Sequence, residues 1–149
     1  MSTERNKAIV RETTERLFNQ GDLGVIDELI TADAVDHCEP PGTDCRAHFR
    51  QTVPMLRSAF PDLHMKIEDM VAEGDSVSVR LTMTGTHQGP FMGIPPTGRH
   101  FQVEQMRIMR FHDGQMTDAW AVIDWLGWRQ QLGAMPQPQA QSQPQHAAA

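Results

Sequence analysis

The sequence lacks tyrosine altogether, and aromatic residues make up only 6% of its 149 residues. It has 2 cysteines, which is too few for the disulfide framework of a small secreted domain. No apolar run reaches the roughly 18 residues that a membrane-spanning helix needs. The opening residues, 1–7, are polar and carry no apolar stretch of the signal-peptide kind. We therefore expect a cytoplasmic protein with no membrane partner.

The charge balance is acidic, with 13 basic residues, 19 acidic residues and a formal net charge of -6. A chain of this charge offers no basic surface for nucleic acid, so nucleic acid is not an expected partner. Hydrophobic residues reach 39%, which is enough for one folded domain, and we place that domain at residues 1–134. Residues 135–149 are rich in proline, glutamine and alanine and are expected to form a disordered tail.

Helical periodicity occupies the first part of the chain. Residues 4–20 place apolar side chains at spacings of three and four, and Asp22 is expected to cap a short second helix. An irregular segment is predicted over residues 31–43. Asp44 then caps a predicted third helix, in which Pro54 is expected to produce a kink or a break.

Apolar and polar residues alternate from residue 63 onward, which is typical of half-buried strands. The alternation is clearest over residues 77–83 and 101–111, and residues 116–123 are predicted to form the last strand. A last helix is predicted over residues 125–132, with Asp124 as its cap. Helices followed by strands predict an α+β fold, in which the N-terminal helices pack on the concave face of a strongly curved, mostly antiparallel sheet.

A long connection, residues 85–98, separates two of the predicted strands. It contains four glycines and three prolines, so it is neither a helix nor a regular strand. Phe91, Met92 and Ile94 stand together at its tip. Because a solvated linker would not carry three apolar side chains in one place, we expect them to pack over a cavity mouth or a partner chain.

The strand 101–111 carries the clearest indication of a binding site. Its odd-numbered positions form one face that is apolar at both ends and holds Gln105 and Arg107 in the middle. One interpretation is a pocket in which this pair binds or polarises a carbonyl or carboxylate group. The alternatives are an arginine paired with a structural carboxylate, since an unpaired buried charge is costly, and an arginine whose head reaches solvent.

Three further side chains are candidates for proton transfer. His37 follows Asp36 in the predicted irregular segment, and the alternative role for it is that of a turn residue. His87 continues the apolar register of the strand 77–83, and it is otherwise a buried structural histidine. Asp124 stands at the end of the last strand, and it is otherwise only a helix cap.

The predicted site therefore has three catalytic candidates and a set of substrate contacts around a small apolar organic ligand. Catalytic roles are assigned to Asp124, His37 and Arg107. The substrate contacts are expected to be Gln105, His87, Trp120, Phe91, Met92 and Met109. For Trp120 the residues alone favour the alternative, a core or interface residue, over stacking on a ligand.

One cluster of histidine and cysteine residues is a candidate metal site: His37, Cys38, Cys45 and His48. Its Cys-x6-Cys-x2-His spacing is not that of the usual zinc knuckle. The sequence also has no dinucleotide fingerprint, phosphate-binding loop, nucleophile elbow or zinc-protease motif. We therefore expect neither a metal nor a cofactor.

Four segments of the chain are similar to one protein family: residues 59–63 (Ala-Phe-Pro-Asp-Leu), 85–99, 110–114 and 130–133. Together they resemble the SnoaL-like polyketide cyclases, or ester cyclases, of the nuclear-transport-factor-2-like superfamily, over roughly residues 4–134. The resemblance implies a cone-shaped α+β barrel with a deep apolar pocket. It also implies a homodimer formed through the sheet and chemistry that needs no cofactor.

The resemblance further implies that an aspartate in the last strand removes a proton from a polyketide ester, and that the enolate then closes a ring by intramolecular aldol addition. This sequence departs from that pattern. Ala121 stands where the family has the catalytic aspartate, and Ala119 and Arg107 stand where it has pocket histidines. Asp124 and His37 are the available substitutes for the base.

Three functional hypotheses follow from the sequence. The first is a cofactor-independent cyclase, isomerase or lyase that acts on an apolar carbonyl compound, with Arg107 and Gln105 stabilising the oxyanion. The second is a non-catalytic protein that binds a small apolar metabolite, which the alanine at position 121 favours. The third is an epoxide hydrolase on the same fold, and the absence of tyrosine argues against it.

Overall fold

The structure, a computed structural model, describes residues 2–135 and shows an α+β architecture. The helices are α1 (Thr3–Thr13), a π-helical turn (Thr14–Asn19), α2 (Gly24–Leu29), α3 (Cys45–Ala59) and α4 (Trp125–Gln131). The strands are β1 (Ile30–Asp36), β2 (His64–Glu73), β3 (Ser76–Thr86), β4 (His100–His112) and β5 (Gln115–Ile123). The predicted tail lies outside the described residues from position 136 onward.

The first predicted helix is present but changes type along its length. The side chain of Ser2 accepts a hydrogen bond from the backbone N–H of Arg5 and so caps α1. After Thr13 the chain widens into the π-helical turn, where the N–H of Gln20 donates to the carbonyl of Glu15 over 3.0 Å. The buried face of this whole segment comprises Asn6, Ile9, Val10, Thr14, Leu17 and Phe18.

The last residue of the π-helical turn joins the helical layer to the sheet. The Asn19 side-chain amide donates to the carbonyl of Met65 over 3.1 Å, and its oxygen accepts from the N–H of Met65 over 2.7 Å. Met65 lies near the start of β2, so both hydrogen-bonding groups of one strand residue are satisfied by a single side chain.

The irregular segment predicted over residues 31–43 is wrong in its first half, because Ile30–Asp36 forms β1. This strand pairs in parallel with β5, with a register shift between Ile30 and Val35. Its buried positions are Ile30 and Ala34, so the strand shows no alternation of apolar and polar residues. The periodicity that reveals the other strands is therefore missing here.

The predicted cap of the third helix is confirmed, and the predicted break at Pro54 is not seen. The Asp44 side chain accepts from the N–H of Ala47 over 3.2 Å, and α3 then continues through Pro54 to Ala59. Pro54 leaves the carbonyl four residues earlier, that of Arg50, without its helical donor. Both residues are exposed, so water can satisfy that carbonyl.

The sheet has five strands in the order β1-β5-β4-β3-β2. All neighbours are antiparallel except β1 and β5, so the sheet is mostly antiparallel, as the sequence predicts. The sheet stays open where a closed barrel was expected, since β1 and β2 are its two edges. The α1 helix packs over β2 and β3, α3 over β1, and α4 over β4.

In residues 2–135 no helix has both the length and the apolar character needed to cross a membrane. The apolar core instead lies between the helices and one face of the sheet. That face includes the odd-numbered residues of β4, which pair with buried residues of β3: Met83 opposite Val103, and Val77 opposite Met109.

Candidate functional site

A cavity of about 430 Å³ opens between the sheet, α3, α4 and the connection that follows β3. This size suits a small organic ligand. Most of its lining is apolar: Phe18, Phe49, Met55, Leu56, Met65, Met83, Phe91, Met92, Ala121, Ile123, Trp125 and Trp128. Its polar lining comprises Asp36, Cys38, Glu39, His48, Thr52, Gln105 and Arg107.

Arg107 and Gln105 form a polar pair on the sheet side of this cavity. The Nε of Arg107 donates to Oε1 of Gln105 over 3.0 Å. The amide nitrogen of Gln105 faces two thioether sulfurs, those of Met65 at 3.8 Å and Met83 at 3.9 Å, which orients its oxygen towards the guanidinium. Gln105 is only 2% exposed, so this orientation is fixed by packing.

The guanidinium of Arg107 has no ion-pair partner in the part of the chain that the structure describes, where no carboxylate oxygen lies within 4.0 Å of it. It lies 5.2 Å from the ring centroid of Phe18 instead. Burial lowers the pKa of Arg107, and the negative charge of Asp36 acts to raise it. Because a guanidinium keeps its positive charge in proteins at neutral pH, the group is available to an anion.

The neighbouring strand gives this pair room. Arg107 pairs with Ala121 across the β4–β5 ladder, and Gln105 pairs with Ile123. Directly paired residues point to the same side of a sheet, so Ala121 and Ala119 share the cavity side with Arg107. Because both residues on β5 are alanines, the space in front of the guanidinium is left open.

Ionisable side chains from α3, from the end of β1 and from the segment after it also line the cavity. His48 of α3 approaches Glu39 with 3.5 Å between Nε2 and Oε1, and Thr52 Oγ1 lies 3.4 Å from the same nitrogen. Asp36, at the end of β1, accepts a hydrogen bond from the N–H of Cys38 over 3.0 Å through Oδ1. Carboxylate and imidazole groups therefore line the same cavity as the guanidinium.

Cys38 is the exposed one of the two free cysteines. Its thiol donates to the carbonyl of Ala121 over 3.0 Å, and the N–H of Ala121 is 2.7 Å from its sulfur. Partial burial raises the pKa of the Cys38 thiol. The group is therefore held as a thiol that bridges the segment after β1 to β5, and it is not activated as a nucleophile.

Several of the residues that the sequence singled out lie on this cavity. Gln105, Arg107, Phe91 and Met92 all line it, and Phe91 is 2% exposed. Met109 is buried behind it, where it borders a small void of about 20 Å³ together with Arg107. The apolar tip of the long connection therefore closes one side of the cavity.

His87 lies behind the cavity wall. It is completely buried and packs among aromatic rings, with 5.5 Å between its ring centroid and that of Phe60. Its Nδ1 lies 3.1 Å from the hydroxyl of Thr97 and accepts from the Thr97 N–H at 3.3 Å. The other ring nitrogen, Nε2, has no partner within residues 2–135. In this position His87 supports the connection between β3 and β4.

His37 and Trp120 lie together on the opposite face of the sheet. Their rings are stacked, with centroids 4.2 Å apart and an interplanar angle of 3°. His37 Nε2 donates to Oδ1 of Asp118 over 2.9 Å, and this hydrogen bond holds the pKa of Asp118 below its usual value. The guanidinium carbon of Arg110 also lies over the Trp120 ring, 5.2 Å from its centroid.

Asp124 is the N-cap of α4. Its Oδ1 accepts from the N–H of Gly127 over 2.9 Å, which confirms the predicted cap. The residue is exposed and is not among those that line the cavity, although its neighbours Ile123 and Trp125 are. The structure therefore brings Arg107 and Gln105 together and leaves Asp124 and His37 apart from them.

No cluster of three or more metal-ligating side chains occurs within residues 2–135. The histidines and cysteines that were weighed as zinc ligands serve other contacts. His37 binds Asp118, Cys38 binds the backbone of Ala121, and Cys45 is fully buried in the core.

The sequence interpretation missed the helix α3 as a wall of the site. The lining residues of that helix share one face, at spacings of three and four: His48, Phe49, Thr52, Met55 and Leu56. The polar pair His48 and Thr52 sits at the i, i+4 spacing within an otherwise apolar stripe. That interruption of an apolar face was the available signal.

These features define a class of protein: an α+β domain in which helices close a small-molecule cavity over one face of a mixed, five-stranded sheet. The sequence profile described as SnoaL-like polyketide cyclase matches residues 8–132. The chain therefore belongs to the SnoaL-like polyketide cyclase family.

Individual relatives agree with this placement. The chain is 32% identical over 123 residues to nogalonic acid methyl ester cyclase of Streptomyces nogalater, a match that covers 78% of this chain and 89% of the relative. Among solved structures, it resembles IdmH, a proposed polyketide cyclase from Streptomyces antibioticus, at 34% identity and a TM-score of 0.75, covering 85% and 97% of the two chains. It also resembles AclR, a proposed hydroxylase from Streptomyces galilaeus, at 31% identity and a TM-score of 0.81, covering 93% and 87%.

Proposed function

We propose that this protein is a cofactor-independent cyclase of a small, largely apolar compound with several carbonyl groups, such as a polyketide methyl ester. The observation that carries the proposal is the Arg107–Gln105 pair, which faces an apolar cavity of about 430 Å³. In residues 2–135 the guanidinium has no carboxylate at ion-pair distance, so its charge is available to a ligand. The ester cyclases among the relatives support this substrate class.

The proposed chemistry needs no added reagent. A base removes a proton from a carbon between two carbonyl groups, and the electron pair of that C–H bond moves onto a carbonyl oxygen. The guanidinium of Arg107 stabilises the resulting enolate, because a charge placed in advance inside an apolar cavity acts strongly on a developing oxyanion. The enolate carbon then attacks a second carbonyl, and the alkoxide that forms takes the proton back.

The rest of the cavity suits an extended, flat and apolar substrate. Aromatic surfaces of Trp125, Trp128 and Phe91 line one region, and thioethers of Met55 and Met92 line another. Methionine side chains adapt their shape to irregular ligands. Folding of the substrate chain against these walls would bring the enolate carbon close to the carbonyl that it attacks.

The test uses nogalonic acid methyl ester and aklanonic acid methyl ester, with the cyclised product followed by chromatography. Arg107→Met should lower kcat by a factor of about 100–1,000, the size seen when one oxyanion donor is removed. Arg107→Lys, which keeps the charge but loses the planar fork, should retain part of the activity. Full turnover by Arg107→Met, or failure of the wild type to convert either ester, would contradict the proposal.

The residues predicted from the sequence as the base are Asp124 and His37. Asp124 and His37 remain predictions, and Asp124→Asn and His37→Gln belong in the same assay. Their positions, as a helix cap and on the other face of the sheet, favour a different residue that lines the cavity.

We also propose that the protein forms a homodimer through the outer face of the sheet. Exposed apolar side chains are concentrated there: Met106 is 56% exposed, Ile108 48% and Val122 77%. Met106 and Val122 are directly paired across β4 and β5, so they form a continuous patch. A second copy of the same patch would cover it symmetrically.

A further inference from the structure

Asp36 is one of the carboxylates that line the cavity. It ends β1 and pairs in parallel with Ala119 of β5. Its side chain lines the cavity together with those of Ala121 and Arg107. The carboxylate on β1 and the guanidinium on β4 are therefore separated by β5, whose cavity-facing side chains between them are only methyl groups.

Asp36 and Glu39 are the carboxylates that line the cavity in the described part of the chain. Glu39 is engaged with His48 at 3.5 Å. Asp36 forms no ion pair in residues 2–135, and its Oδ1 accepts a single backbone hydrogen bond from Cys38. That bond holds the side chain in place, and the thiol of Cys38 lies beside the same carboxylate, whose negative charge acts to raise the pKa of the thiol.

The charge of Asp36 acts on Arg107. Among the charges that counter the effect of burial on the Arg107 pKa, that of Asp36 is the largest. The two groups are close enough to interact and too far apart to form an ion pair with N–O contact, since no such contact within 4.0 Å is present. The two charges therefore act on the same cavity without direct N–O contact between them.

We propose that Asp36 is the catalytic base of this protein, an assignment that rests on the proposed cyclase function. Oδ2 of Asp36 takes the proton from the acidic carbon: the C–H bond breaks, an O–H bond forms, and the electron pair moves to the carbonyl oxygen facing Arg107. After the carbon–carbon bond has formed, the carboxylic acid of Asp36 returns the proton to the new alkoxide. The carboxylate is regenerated, so each turnover is balanced without a co-reactant.

The other candidates are less well placed for this step. Asp124 already caps α4 through Oδ1 and is not part of the cavity lining. His37 donates to Asp118 and is stacked on Trp120, on the face of the sheet that is turned away from the cavity. His87 is completely buried behind the wall and uses Nδ1 as an acceptor for the backbone of Thr97.

The test compares Asp36→Asn with Asp33→Asn in the assay with nogalonic acid methyl ester and aklanonic acid methyl ester. Asp33 lies on the same strand but is exposed and does not line the cavity, so it is a matched control. Asp36→Asn keeps the acceptor for the Cys38 N–H and should lower kcat by a factor of about 100–10,000, the contribution of a general base. Asp33→Asn should match the wild type.

A second variant distinguishes a catalytic role of Asp36 from a purely structural one. Asp36→Ala should be inactive alone and regain activity as acetate is added, because acetate supplies the missing carboxylate. A loss of activity that acetate does not restore, or a kcat of Asp36→Asn within threefold of the wild type, overturns the assignment while leaving the cyclase function in place. A wild type that converts neither ester overturns the cyclase proposal and the assignment with it.

Discussion

The backbone N–H of Thr97 donates a hydrogen bond to Nδ1 of the buried His87 over 3.3 Å. Two backbone hydrogen bonds also join the two ends of this loop. The N–H of His87 donates to the carbonyl of Arg99 over 2.9 Å, and the N–H of Gly98 donates to the carbonyl of His87 over 2.8 Å. The loop between them carries Phe91 and Met92 to the cavity. His87 therefore acts on the site through the shape of this loop.

Replacing His87 by alanine should loosen the loop. The change leaves the Thr97 N–H without its acceptor and opens a void beside Phe60, so we expect a loss of about 2–4 kcal/mol in the free energy of unfolding. Hydrogen exchange over residues 88–98 should become faster. Thr97→Val keeps the backbone bond and should lose only about 1 kcal/mol. Equal protection of the loop in His87→Ala and the wild type would contradict this role.

Gly89 should not tolerate a side chain. A Cβ at this position would lie 2.5 Å from the carbonyl oxygen of Ser58, which belongs to the backbone at the end of α3. We expect Gly89→Ala to cost about 1–3 kcal/mol in thermal or urea unfolding, as overpacking does. In Gly93→Ala nothing lies within 4 Å of the new Cβ, and only the backbone φ of +79° is strained, at about 1 kcal/mol. A Gly89→Ala protein as stable as the wild type would show that the loop shifts freely.

The two cysteines should differ in reactivity in the folded protein. Burial raises the pKa of Cys45 to about 12, and Cys45 has no exposed surface. Cys38 is exposed, although partial burial raises its pKa as well. Iodoacetamide at pH 8 should therefore add one group slowly at Cys38, and Cys38→Ser should add none until it is unfolded. Mass spectrometry of the labelled protein measures this directly, and rapid double labelling of the native protein would refute it.

The pair of His37 and Asp118 should contribute to stability only above the acidic range. The hydrogen bond from His37 lowers the folded-state pKa of Asp118 below 3.8, so its contribution is complete above that value and is lost as the pH falls through the folded-state pKa. Asp118→Asn should cost about 0.5–1 kcal/mol at pH 7, since the pair is partly solvated.

The difference between Asp118→Asn and the wild type should shrink in urea unfolding as the pH falls below about 4, near the unfolded-state pKa of an aspartate. Asp33→Asn, an exposed change on β1, serves as the control variant in the same unfolding series. A destabilisation of Asp118→Asn that is the same at pH 3 and pH 7 would show that packing, and not ionisation, is responsible.

Sedimentation should give about twice the chain mass of 16.8 kDa if the outer face of the sheet is the dimer interface. Val122→Lys places a charge at the most exposed apolar residue of that face and should shift the protein to a monomer. Leu126→Lys changes an exposed residue of α4 that lies off the sheet and should leave the mass unchanged. A wild type that sediments as a strict monomer at micromolar concentration would exclude this interface.

The parts of this fold that could be predicted are those determined by residues close together in the sequence. Alternation reveals β3 and β4 because one face of each strand is buried and the other is more exposed. The caps Asp44 and Asp124 follow from the preference of aspartate for free N–H groups. Strand β1 has no such signature, because its two buried residues, Ile30 and Ala34, are four positions apart and do not alternate with exposed ones. Its pairing with β5 joins residues more than 80 positions apart, as in the contact between Cys38 and Ala121.

The same division applies to the site. Arg107 and Gln105 could be found from the sequence because they interrupt the apolar face of a clearly alternating strand. The position of Asp36 depends on the long-range pairing of β1, and that of His48 depends on how α3 lies over the sheet. Neither arrangement is encoded in the spacing of nearby residues, so the polar side chains that share the cavity with Arg107 became visible only in the structure.

The side-chain amide of Asn19 also affects how readily the edge of the sheet can associate with other molecules. Strand β2 is an open border of the sheet, and such a border can recruit a strand from another molecule. Asn19 occupies the N–H and the C=O of Met65, so at this point the chain already supplies the partner that an invading strand would offer. The π-helical turn that positions Asn19 thus makes this point of β2 less able to pair with a strand of another molecule.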